Sequence, residues 1–112
     1  MTSRGEGDSY GKGAVPAQFT PELIRACTDV ISLYTDRRFV ALRPSSELDV
    51  IILHTRDTIF AAPSIPAYEH FRILLATTPD ARDLWLLFDM QTRTCRFASY
   101  IEAHLAMDAE DK

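Results

Sequence analysis

Apolar residues recur at three- and four-residue spacing from Leu23 through Cys27 and Val30 to Tyr34, with Ala26 and Leu33 widening the stripe. That period predicts a helix from Pro21 to about Tyr34 or Asp36, with Arg25, Thr28, Asp29 and Ser32 on its wet side. Thr20 suits the N-cap, Pro21 the first turn and Glu22 the positive end of the helix dipole. Phe19 is placed to staple onto Ile24. Asp36-Arg37-Arg38 ends the helix.

The period then shortens. Phe39 to Arg43 is rich in strand formers and is stopped by Pro44-Ser45-Ser46. Leu48 to His54 reads as a second strand, apolar on both faces over Val50 to Leu53, which predicts a central place in a sheet. Thr55-Arg56-Asp57 turns it back into a third strand over Thr58 to Ala62, ended by Pro63. Ser64 to Ala67 opens a helix running to about Thr77, with Tyr68, Phe71, Leu74 and Leu75 on one face; a strand over Phe71 to Thr77 is the competing reading. Thr78-Pro79-Asp80 breaks that segment.

Leu84 to Met90 holds the only tryptophan and pairs in prospect with Cys95 to Tyr100 across the polar turn Gln91 to Thr94, giving a hairpin. Ser99 and Glu102 have capping-box spacing. They open a last helix expected to turn Ile101, Leu105 and Met107 inward and to fray from Asp108. The whole predicts an α+β domain: an antiparallel sheet of about four to five strands, an N-terminal helix, a middle helix and a C-terminal helix. The helices are expected on one face of the sheet. Two strands apolar on both faces imply cover on its second side as well, by a helix or a partner.

Composition narrows the picture. All four glycines fall at or before Gly13, so residues 1–18 read as a flexible leader and 19–112 as one folded unit. With no glycine beyond Gly13, the phosphate-cradling loop, the dinucleotide fingerprint and the G-x-S-x-G elbow are all missing from that unit. No apolar run approaches the length of a membrane span, and no targeting segment is evident, so a cytoplasmic protein is expected. Formal net charge is −4, all of it arising beyond Gln18. An acidic surface repels a phosphate backbone and suits a basic protein.

Candidate chemistry is thin. His54, His70 and His104 lack metal-ligand spacing with one another or with the cysteines, so no metal or cofactor is expected. Cys27 on a helix stripe and Cys95 on a strand read as buried thiols. Asp89, before the hairpin turn, reads as a turn-initiating carboxylate and not a catalytic one. Arg37, Arg38, Arg93 and Arg96 are expected to pair with neighbouring aspartates.

These readings favour a non-enzymatic module that binds another protein, most concretely an inhibitor or immunity-type protein that neutralises a basic enzyme such as a nuclease toxin. Glu47, Asp49, Asp57, Asp80, Asp83 and Asp89 are the candidate partner-binding residues, with the acidic tail from Asp108 as a mobile addition. Two alternatives stand beside it. One is a ligand-binding protein or enzyme with a pocket near Trp85, Tyr100, Tyr68, Phe88 and His54 or Cys95. The other is a structural subunit that forms a homodimer through an uncovered sheet face or an edge strand.

Overall fold

The computed structural model describes residues 19–45 and 47–111. The leader expected over residues 1–18, like Ser46 and Lys112, lies outside them. Helix α1 (Pro21–Tyr34) is followed by strands β1 (Phe39–Pro44), β2 (Ile51–His54) and β3 (Ile59–Ala62). Helix α2 (Ile65–Thr77), strands β4 (Trp85–Asp89) and β5 (Thr94–Ala98), and helix α3 (Tyr100–Asp108) complete the fold. The five strands form one antiparallel sheet in the order β3-β2-β1-β4-β5. The expected α+β architecture is present, with β2 paired on both sides as its apolar faces predict and β1 at the middle of the sheet.

Side-chain oxygens start all three helices. Thr20 and Ser64 accept the N–H groups of Leu23 and Ala67, and Ser99 and Glu102 form the full capping box. The segment Phe71 to Thr77 is helical, so the competing strand reading falls: Phe71 and Leu74, three residues apart, are both buried.

One sheet face carries the larger core. Val40, Leu42, Ile51, Leu53, Leu86 and Phe88 pack there against Leu23, Cys27 and Ile31 of α1 and Phe71 and Leu74 of α2. The buried arc of α1 is centred nearer Cys27 and Ile31 than Ala26 and Leu33. Thr28, expected in water, is therefore buried, and Leu33 is exposed. The Thr28 hydroxyl donates to the Arg25 carbonyl at 3.2 Å, which makes its burial tolerable. Phe19 sits in the core with its ring 4.9 Å from Phe97.

Two further boundaries move. β2 begins at Ile51 and not Leu48, because the Ser45 hydroxyl accepts the N–H groups of Glu47 and Leu48 while Ser45 N–H reaches the Val50 carbonyl. Those bonds close a loop, and Leu48 is exposed. The tail continues as a 3-10 turn over Ala109–Asp111 where fraying was expected. The Glu110 carboxylate holds it by accepting the N–H groups of Arg38 and Phe39 at 3.0 and 3.3 Å.

The helices do not share one face. α3 lies alone on the second face, where Ala103 and Met107 close over Ala41, Leu87 and Ala98. Its expected orientation is corrected in part: Met107 is buried as expected, but Ile101 and Leu105 are 68% and 66% exposed and Ala103 takes the inward place instead. The strand residues beneath α3 are small, and Tyr100 and His104 pack beside it on Trp85, which fixes its rotation about its own axis.

Candidate functional site

The six carboxylates proposed from sequence divide between opposite ends of the sheet. Asp57, in the β2–β3 turn, and Asp89, at the end of β4, share the end where β1 begins. Both are committed to arginines. Arg37 Nη2 lies 2.7 Å from Asp57 Oδ2, and Arg38 grips both oxygens of Asp89 through Nε and Nη2 at 2.9 Å each. Hydrogen bonding to these guanidiniums holds both carboxyls below their ordinary range. Asp89 also accepts the Gln91 N–H at 3.1 Å, as a turn-opening aspartate does.

Glu47, Asp49, Asp80 and Asp83 lie at the other end. The first two belong to the β1–β2 loop; Asp80 sits in a 3-10 turn over Pro79–Ala81 and Asp83 in the lead into β4. The register Leu42 to Leu86 and Pro44 to Ile51 brings these two connections together. All four are exposed, and among the described residues none forms an ion pair. An open hollow of about 400 Å³ runs between the two connections, lined by Arg43, Ser45, Leu75, Arg82, Asp83 and Trp85 among others.

The side chains with reactive potential are packed away. Cys27 and Cys95 are buried and unbridged, and burial pushes both thiols up to about 12. A thiol so protonated is no nucleophile near neutral pH. Among the described residues no three histidine, cysteine or acidic side chains gather in a way that could hold a metal ion.

His54 is the exception to simple burial. Its ring stacks on Trp85 at 4.3 Å, reaching over the small Ala41 of the intervening β1. Arg43 Nε–H donates to its Nε2 at 3.0 Å. That bond requires a lone pair on Nε2, so the ring proton sits on Nδ1, which is buried without an acceptor. Burial, then the Arg43 charge, lower the imidazole to about 4. Sequence gave no signal for the Arg43 contact, because the two residues meet diagonally across a register unknown until the sheet is formed.

The pocket considered from sequence does not come together as one space. Trp85, Tyr100, His54 and also His104 gather on the second face, with ring centroids 4.3 to 5.6 Å apart. Phe88, Cys95 and Tyr68 belong to the core on the other face. Aromatic rings thus occupy the space a ligand would need beside His54. No helix among the described residues is long and apolar enough to cross a membrane. Comparison with protein-family models, with curated proteins and with solved structures gave no match to this chain.

Proposed function

We propose that this chain works by binding a basic protein, without catalysing a reaction, through the sheet end that carries Glu47, Asp49, Asp80 and Asp83. The supporting observation is a contrast. Asp57 and Asp89 are gripped by their own arginines, whereas among the described residues these four exposed carboxylates form no salt bridge, Asp49 acting on Arg72 only through its field, and Asp83 lines an open hollow. Unpaired surface carboxylates steer a positively charged partner and are released by salt. An inhibitor of a basic enzyme such as a nuclease toxin is the form that the small size and acidic charge favour.

The test is salt-dependent binding to the basic partner recovered with the full chain. The joint replacement Glu47→Gln, Asp49→Asn, Asp80→Asn and Asp83→Asn should weaken binding at least about tenfold at low salt. Asp57→Asn with Asp89→Asn should change it far less. An acidic partner, or binding indifferent to both salt and the four replacements, overturns the reading.

A further inference from the structure

The two middle strands separate at one end of the sheet. β1 and β4 pair from Phe39 opposite Asp89 to Leu42 opposite Leu86, and no further. Beyond that point β1 runs on beside β2 to Pro44, while β4 starts beside β5 at Trp85. The hollow of about 400 Å³ opens in this gap. Pro44, Leu75, Leu84 and Trp85, all partly buried, give it an apolar wall.

Its polar lining is rich in donors that lack acceptors. Arg43 is partly buried and forms no salt bridge among the described residues. Its Nε–H donates to His54, which anchors the guanidinium and leaves both Nη groups without an acceptor among those residues. An imidazole kept neutral by burial supplies no countercharge. Arg82 forms no salt bridge either, whereas Arg37, Arg38 and Arg72 each hold a carboxylate. Ser45 Oγ accepts the N–H groups of Glu47 and Leu48, so its lone pairs are committed and its O–H remains to donate. A cation withdrawn from water ordinarily has an anionic partner.

We propose that this hollow binds a small organic monocarboxylate, its oxygens taken by Arg43, Arg82 and Ser45 and its apolar part laid against Leu75 and Trp85. A guanidinium is shaped to grip a carboxylate through two N–H groups. Phosphate is disfavoured because Asp83 also lines the hollow and Glu47, Asp49 and Asp80 stand at the same end. Their field opposes a dianion about twice as strongly as a monoanion. The site is separate from the docking of a basic protein: it is tested on the chain alone, so either reading can fail without the other.

Trp85 is the only tryptophan, so its emission reports on the hollow directly. Titration of the full chain with phenylacetate at constant ionic strength should change that emission saturably, with half-saturation below about 10 mM. Phenethylamine, with the same ring and the opposite charge, and acetate, with the same charge and no ring, should each require at least about tenfold more. Arg82→Gln and Arg43→Gln should each raise the half-saturating phenylacetate concentration at least about tenfold. Arg82 is exposed and makes no side-chain contact that folding needs, so its variant decides the matter if Arg43→Gln disturbs His54 and alters the circular dichroism. Four results overturn the proposal: no saturable change with phenylacetate, phenethylamine binding as well as phenylacetate, inorganic phosphate binding more tightly than phenylacetate, or a folded Arg82→Gln with unaltered affinity.

Discussion

His54 keeps its place only as a neutral ring, since protonation of Nε2 would remove the acceptor that Arg43 uses. Its folded value of about 4 lies below the ordinary 6.5, so between those limits the unfolded chain binds the proton that the folded chain refuses. Its contribution to stability is complete above about pH 6.5 and fades as pH falls through 4. Urea midpoints should therefore drop across this window, and the drop should be absent in His54→Phe. Asp57 and Asp89, both held below 3.8, lose their contribution only in stronger acid. The two thiols make a second residue-scale prediction: an aromatic disulfide reagent should leave Cys27 and Cys95 of the folded protein unmodified for hours and titrate both in urea. Cys27 was legible as core from its helical spacing, and Asp89 as a turn aspartate from its position. The Arg43–His54 contact and the burial of Thr28 were not, because each depends on neighbours supplied by another element.

At the scale of elements, capping chemistry was the most legible feature of the sequence. Thr20, Ser64 and Ser99 each begin a helix as their side chains predict, since a cap is completed within four residues of chain. Ser99→Ala should cost about 1 kcal/mol in urea unfolding, because it leaves the Glu102 N–H of α3 without its acceptor. The rotation of α3 was illegible for the complementary reason. Its sequence places Ile101 and Leu105 as plausibly inward as Ala103 and Met107, and only Trp85, the small Ala41 and the flat patch of Leu87 and Ala98 decide between them. The hairpin turn offers a further test. Arg93 adopts φ of 58°, a left-handed conformation that costs a side-chain-bearing residue about 1 kcal/mol. Arg93→Gly should therefore raise the melting temperature by a few degrees, partly offset by the greater freedom of glycine in the unfolded chain.

At the scale of the whole molecule, sequence indicated five strands and three helices but not their order, since strand neighbours are chosen by packing across long separations. This is why the six carboxylates, which sequence placed near strand ends, part into two groups: β1 runs one way and β2 and β4 the other, so successive ends alternate. The same order has a kinetic side. β1 to β3 form a meander from contiguous chain, whereas β4 joins β1 across roughly 40 intervening residues, a closure that is entropically slower. The chain's single indole rides on β4 and lies against an imidazole from β2, two groups that touch only once both halves of the sheet have met. Emission from Trp85 during stopped-flow refolding should accordingly time the docking of the late hairpin, while far-ultraviolet signals follow backbone formation, and a lag between the traces would separate the two events.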